Sequence, residues 1–441
     1  MFIKRIKKLC IVLSMLLLTA TMHAQYTVAG GKGIPLLIQD DSYKDLQIGI
    51  VYGLENVQIS YTSTSTSHNW FRYKDRALEA EPVSAQQTGT TSVLSNIEAG
   101  YGYFVQEGGL STRYVWIIDY SEYAFDIRSL RVSDGGDPCN NILLEGDADI
   151  RDIFYYTPNG VQSELKRTFE VVYRTMEWSA EDKYYTEIEK PIEVNGNPFN
   201  YTMLGAPLCD TEITLRGDSF ARHFGVEKSF TTDLYSAIAL EFHPDTTVTL
   251  INAPSGGGLG GAMSAPAEIQ FRANANEPVA SYFRWVIYRR DDSEQTPIVD
   301  IRSSEFTHTF IEEGSYIVEL QIGDRRGLCS LEPYTFEINI GNFFMEVPNV
   351  FTPGTTPGVN DEFRVSFNSV VDFKGWIFNR WGNQLFHWTD PNAGWDGKVG
   401  GKYADPGVYF YIIEAKGSDG RVHKRKGSVN LLRSKTIRDE F

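Results

Sequence analysis

Gly407-Val-Tyr-Phe-Tyr-Ile-Ile413, closed by the turn Asp419-Gly420 and followed by Val422-His-Lys-Arg-Lys-Gly-Ser-Val-Asn-Leu-Leu432, decides the fold class of this chain. Val408, Phe410 and Ile412 alternate with Tyr409, Tyr411 and Ile413, a period of two that makes a strand; with both sets apolar, both faces are expected to be covered. Asp-Gly is hairpin-turn chemistry, so the two runs read as an antiparallel pair. Just upstream, Trp376, Phe378 and Leu385 flank a second turn at Asn379 to Asn383. Further clusters at Gly358 to Phe363, Gly394-Trp-Asp-Gly397 and Gly427 to Arg433 punctuate the same region, and no helical period runs through it. The last 95 residues are therefore a compact antiparallel β domain.

The same residues resemble a known family. In order they are Val347-Pro-Asn-Val-Phe-Thr-Pro353, Gly358-Val-Asn-Asp-Glu-Phe363, Ile377-Phe-Asn-Arg-Trp-Gly382, Gly394-Trp-Asp-Gly397 and Gly407-Val-Tyr-Phe-Tyr411, with Gly427 following. Together they resemble the type B C-terminal signal domain of type IX secretion cargo, the gliding-motility-associated C-terminal domain of Bacteroidota. The motif residues that carry the likeness are Phe351, Pro353, Asn360, Asp361, Phe363, Asn379, Arg380, Trp381, Gly382, Trp395, Asp396, Gly397, Gly407, Tyr409 and Gly427. What the resemblance implies is passage across the outer membrane by a dedicated machine, the partner of this domain, and placement at the cell surface or outside. Family members carry Asn-Gly-Asp-Gly after Phe-Thr-Pro, where this chain has Gly354-Thr-Thr-Pro-Gly358, and the tail Ser434 to Phe441 runs past the usual ending.

The other end agrees with export. Lys4, Arg5, Lys7 and Lys8 precede an apolar run from Leu9 to Leu18 and small or polar residues up to Ala24, a signal peptide over residues 1–24. Its apolar run is shorter than the roughly 20 residues a spanning helix needs. No later segment reaches that hydropathy, so no transmembrane segment is expected in the mature chain. Residues 25–346 hold 24 Lys and Arg against 47 Asp and Glu, whereas residues 347–441 hold 13 against 10. An acidic body excludes nucleic acid, whose binding needs clustered cations. The basic strand Arg421 to Arg433 suits either a solvated face or an anionic surface such as lipopolysaccharide.

Upstream, an internal echo gives the architecture. Trp70-Phe-Arg-Tyr73 is followed by Gly100, Gly102 and Tyr103-Phe-Val105; Trp285-Val-Ile-Tyr288 is followed by Gly314 and Tyr316-Ile-Val318. A Trp on a central strand with a Gly-x-Tyr start to a later strand is the skeleton of an immunoglobulin-like sandwich, with the indole between the sheets and the Tyr at a corner. The second copy also resembles a polycystic-kidney-disease-type repeat. The expectation is all-β: tandem immunoglobulin-like β-sandwich modules ending in a small antiparallel β-sandwich. Modules are expected at 25–125, 126–205, 206–254 (or one unit with the preceding) and 266–341, with a Gly-rich linker at 255–265 and the signal domain at 347–441.

Three cysteines remain after residue 24. Cys139 and Cys209 each precede an Ile-x-Leu-x-Gly-Asp strand opening, so the expected disulfide joins them, although the two openings can equally begin separate domains. Chemistry is sparse. His68, His223, His243, His308, His387 and His423 lack short metal-ligand spacing, and no nucleophile elbow or cysteine-protease signature is present. Asp134, Asp137, Asp147, Asp149 and Asp152 are hard ligands that suit Ca²⁺, though Asp is also ordinary turn chemistry. Glu177, Glu181 and Asp182 beside Trp178 form a weak glycosidase-like group, and Arg216-Gly-Asp218 spells an integrin tripeptide. Tyr155-Tyr156 and Tyr184-Tyr185 offer rings for sugar stacking. No cofactor is expected beyond possible calcium. The leading expectation is a non-enzymatic surface protein that binds a glycan or another protein; the alternatives are an envelope regulator of the secretion system and, last, a secreted hydrolase.

Overall fold

The computed structural model describes residues 25–200, 202–252, 261–355 and 358–433. The expected signal peptide, most of the glycine-rich segment and the tail after 433 lie outside the described residues. Nearly every element is a strand, and the strands sort into successive two-sheet sandwiches.

In the first sandwich the strands Gln25–Ala29, Gln58–Thr62, Thr91–Leu94 and Gln86–Thr88 form one sheet. The other has six strands, ordered Leu36–Gln39, Leu46–Val51, Leu110–Asp119, Tyr101–Glu107, Asn69–Tyr73 and Glu81–Val83. Trp70 lies between the sheets with Tyr26, Tyr61 and Val115, all buried, and its Nε1 donates to Ser92 Oγ at 2.8 Å. The Tyr103 hydroxyl donates to the Glu98 carbonyl at 3.1 Å and accepts the Glu98 N–H at 2.9 Å. That closed loop is the expected tyrosine corner, here entered through Gly100-Tyr-Gly102. Gly102 is needed by close approach: a Cβ there would sit 2.2 Å from the Tyr73 ring.

The second sandwich is built around the long strand Thr168–Ser179. It pairs along its full length with Tyr184–Asn195 and, on its other edge, with Ile213–Arg216, which pairs in turn with Ser229–Thr231. Facing it are Asp126–Val132 with Leu144–Asp149 and Asn141–Ile142 with Leu204–Gly205. Residues 206–254 are therefore not a module of their own. Their first half completes this sheet, while Asp245–Leu250 pairs with Ala267–Arg272 of the next sandwich. The strands on either side of the Gly-rich segment are thus hydrogen-bonded neighbours within one sandwich, where an inter-module linker was expected.

The third sandwich sets Asp245–Leu250, Ala267–Arg272 and Glu305–Phe310 against Val299–Ile301, Ala280–Arg289, Gly314–Asp324 and Tyr334–Ile340. Trp285 is fully buried, its Nε1 3.0 Å from the Ser303 carbonyl. Tyr316 donates its hydroxyl to the Glu312 carbonyl at 3.0 Å, the same corner as in the first sandwich.

The expected Cys139–Cys209 disulfide is wrong. Cys139 bonds Cys329 of the third sandwich, 190 residues away, with Cα atoms 5.7 Å apart. The two strand openings do not lie side by side: Leu144–Asp149 and Ile213–Arg216 belong to different sheets. Cys209 is a free, buried thiol, and burial pushes its pKa up.

The junctions are packed rather than strung. Ile153, Tyr155, Phe220 and Phe224 of the second sandwich cover the outer face of the first, meeting Ile48, Trp116 and Tyr120 in one core. Asp218 sits at that junction. It caps the short helix Ser219–His223 through the Ala221 N–H (2.8 Å), accepts the Tyr120 hydroxyl (2.7 Å) and pairs with Arg167, both side chains almost wholly buried. Asp40 of the first sandwich accepts the Tyr155 hydroxyl of the second. The second and third sandwiches are joined by the disulfide, by Asn276 Nδ2 to the Leu208 carbonyl (2.9 Å) and by Arg325 to Asp210 (2.5 Å).

Candidate functional site

The last domain has a five-stranded sheet ordered Val350–Phe351, Val422–Leu431, Gly407–Gly417, Val370–Phe378 and Gln384–Trp388. Phe373, Ile377, Ile413, Ala415, Val429 and Leu431 project from one face onto Phe351, Phe363 and Trp395, all buried. It docks on the third sandwich through Val371, which packs against that sandwich's core, and through small polar groups. Ser369 N–H donates to Ser264 Oγ (2.8 Å), Ser369 Oγ to the Gly341 carbonyl (2.6 Å), and Glu313 N–H to the Ser418 carbonyl (3.1 Å).

The fifteen motif residues fall into three kinds. Phe351, Phe363 and Trp395 are core: Phe363 and Trp395 exchange backbone hydrogen bonds at 2.9 and 3.1 Å, and Phe351 lies 5.4 Å from the Trp395 ring. Pro353 is buried against Gly397, where a Cβ would come 2.9 Å from the proline ring. Tyr409 donates to the Asp405 carbonyl (2.8 Å) beside Trp395, a third tyrosine corner that follows Gly407 as Tyr316 follows Gly314. Gly427 lies under Tyr411, whose hydroxyl would be 2.5 Å from an added Cβ.

A second kind staples turns. Asp361 Oδ1 accepts the Gly354 N–H (3.1 Å) and its Oδ2 the Gly358 N–H, while the Asn360 carbonyl accepts from Thr352 (2.7 Å). The altered Gly354 to Gly358 loop is thus tied at both ends by Asp361. Asp396 Oδ1 accepts the Lys398 N–H (2.9 Å). Asn379 Oδ1 accepts from Trp381 (3.0 Å) and Asn383 (2.9 Å), and Gly382 takes a φ of 82° that completes this hairpin.

Only Arg380 and Trp381 build nothing. The guanidinium lies 4.3 Å from the centroid of a Trp381 ring that is 71% exposed at the hairpin tip. They border a feature the sequence reading got wrong. The outward side chains of Gly407–Gly417 are not covered: Val408, Phe410 and Ile412 are exposed on the open face of the sheet. Register places Phe378 and Ser428 beside Phe410, and Trp376 and Lys426 beside Ile412. Phe378, Arg380, Phe410, Ile412, Lys426 and Ser428 line a shallow groove of about 720 Å³.

Most of the other candidate residues have structural partners. Asp218 of the Arg-Gly-Asp tripeptide is 0% exposed, so its carboxylate is closed to any receptor. Trp178 lies against Tyr185 (5.1 Å) and stacks on His243 (4.8 Å), and Asp182 accepts from Ser179, so this hairpin clasps the third sandwich. Of the five aspartates near Cys139, Asp147 is held by Arg128 through two hydrogen bonds, Asp149 lies 3.6 Å from Arg151, and Asp137 accepts from Asn140. His68 is fully enclosed by Ser63, Ser92 and Glu107. Among the described residues, no group of three or more His, Cys, Asp or Glu is placed to hold a metal ion, and no helix is long and apolar enough to cross a membrane.

Residues 345–431 match the CHU_C type IX secretion signal domain. A second match, to a fibronectin type III domain, covers residues 131–232 and so spans the sheet of the second sandwich, including Ile213–Arg216. No curated protein matches the chain. Among solved structures it is similar to one described as a tetra-tandem repeat in the extending region of a large adhesion protein. The identity is 13% over 88% of this chain and 99% of that one, with a TM-score of 0.22, an overlap too small to add to the fold derived above. The signal-domain match marks the chain as cargo for type IX secretion.

Proposed function

We propose that this chain is a non-enzymatic surface protein, carried across the outer membrane by its C-terminal domain, whose three upstream sandwiches form a body for binding or adhesion. The observation that carries this reading is the C-terminal domain itself. It has its own core and tyrosine corner, it meets the third sandwich through Val371 and small polar groups, and it matches a secretion signal family over residues 345–431. Both matched families are non-catalytic kinds of domain. Asp218, Asp147, Asp137, Asp182 and His68 are engaged in capping, ion pairs and hydrogen bonds, which supports a body that presents surfaces. The body is acidic, so its ligand is neutral or cationic: a glycan or a protein surface.

The test is location. In a host with a working type IX system, protease added outside intact cells should digest the full chain. In the same host with the system disabled, the chain should be protected and appear after osmotic shock. Equal digestion in both hosts would refute the export half of the reading. Purified chain that turned over a polysaccharide or protein, with turnover lost on one carboxylate substitution, would refute the non-enzymatic half.

A further inference from the structure

The motif residues of the C-terminal domain are explained by folding, with one exception. Arg380 and Trp381 stand at an exposed tip and contribute to no core or turn beyond the Trp381 backbone N–H. They adjoin an apolar strip that a domain of this size has no structural reason to leave open. Phe410 is 45% and Ile412 41% exposed, and the neighbouring strands present Phe378 and Trp376 beside them. An apolar strip of this kind, rimmed by polar residues, points to a covering partner.

Charge says what kind of partner. Lys374, Arg380 and Lys426 surround the strip, and among the described residues none of them has a carboxylate partner. Of the acidic residues on that face, Glu414 is already paired with Lys424 at 2.7 Å and Asp372 lies opposite Lys416 in register. A second copy of the same face would bring like charges together, which disfavours a self-complementary dimer. The apolar residues lie on a shallow, broad sheet face rather than on a projecting loop, a shape that suits the surface of another protein.

We propose that the open face of the five-stranded sheet, with Phe410 and Ile412 at its centre and Lys374, Arg380 and Lys426 around it, docks an acidic-rimmed apolar ridge on a protein of the export machinery. This rests on the export reading above and assigns it to one face. The sheet's other face is core, so the same strands build the domain inward and present the docking surface outward.

Four forms of the full chain test it in the exporting host: the parent, a chain ending at Glu346, Phe410→Ser with Ile412→Thr, and Arg380→Glu with Lys426→Glu. The truncated chain is expected to stay in the periplasm. Both double variants are expected to lose export about tenfold or more, as central interface residues do, while the purified proteins keep the parental unfolding temperature. Lys426→Arg should export normally. Should the apolar pair unfold the domain, Arg380→Glu alone at the exposed turn gives the answer. Export of the truncated chain would remove the signal reading and this inference with it. Retention of the truncated chain with normal export of both double variants would overturn the docking face and leave the signal reading standing. Co-sedimentation of the purified parent with phosphatidylglycerol or lipopolysaccharide vesicles, lost in the double variants, would overturn the protein partner in favour of an anionic membrane.

Discussion

Asp218→Ala separates recognition from architecture at the Arg-Gly-Asp tripeptide. The carboxylate is 0% exposed and serves three partners at once: the Arg167 guanidinium, the Tyr120 hydroxyl and the N–H of Ala221. Removing it leaves Arg167, 3% exposed, charged and unpaired in the core. Breaking a buried pair from one side costs about 3–5 kcal/mol, and loss of a helix cap about 1 kcal/mol. The two overlap, since both act through one side chain, so about 4 kcal/mol is a fair expectation. The first two sandwiches share a core and unfold as a unit of roughly 200 residues, for which each kcal/mol moves the midpoint by about 2–4 °C. A fall of about 8–16 °C by differential scanning calorimetry follows. Asp218→Leu with Arg167→Met, which removes both charges and keeps the volume, should recover much of it, because the uncompensated charge is the chief cost. Suppose instead that Asp218→Ala left the midpoint unchanged and abolished cell attachment. The carboxylate would then be facing solvent and a receptor, and the burial argument would be refuted.

Acid should loosen the junction between the first two sandwiches. Burial alone would raise the Asp40 carboxyl, but hydrogen bonds from Tyr155, Ser42 and the N–H groups of Ser42 and Tyr43 outweigh it and hold the pKa below the ordinary value, while burial and the bond to Asp40 push Tyr155 up to about 12. A carboxyl depressed in the folded state contributes its stability in full above the unfolded pKa of about 4 and loses it as the pH falls through the folded value. Amide protection at Asp40–Tyr43 and Ile153–Tyr156, taken relative to the intrinsic exchange rate at each pH, should therefore fall below about pH 4, and Tyr155→Phe should flatten that dependence; an unchanged profile in Tyr155→Phe would count against the bond. Thiol labelling tests the disulfide assignment: the native oxidised chain should resist maleimide, reduction should free Cys139 and Cys329 together with Cys139, the less buried of the two, labelled first, and Cys209 should react only on unfolding. Rapid labelling of Cys209 in the native oxidised chain would contradict its burial.

The parts of the fold legible in sequence were those whose signals are local. Trp70 with Tyr103 and Trp285 with Tyr316 could be placed because strand period and the Gly-x-Tyr corner each span only a few residues. Gly407-Val-Tyr409 carries the same signal for the third corner, masked by the strand's own apolar alternation. Long-range choices were not legible. The partner of Cys139 is decided by how two sandwiches dock, which no spacing of cysteines encodes. A run of glycines announces a pliant loop but not whether the strands on either side pair, so Asp245–Leu250 was assigned to the wrong sandwich. At the candidate site, a strand apolar on both sides cannot say whether its second face meets its own core or another molecule. Val408, Phe410 and Ile412 look alike in either case, and only the bare face shows which holds.

The Cys139–Cys329 bond bears on the journey as well as the fold. Its second sulfur lies sixteen residues before the matched signal domain begins, so once oxidised the body is a closed ring of chain before the address is complete. A ring cannot be drawn through a hole one strand wide. Any gate this protein crosses after oxidation must admit at least two segments abreast, and a reduced or Cys329→Ser chain is the form that would slip through something narrower.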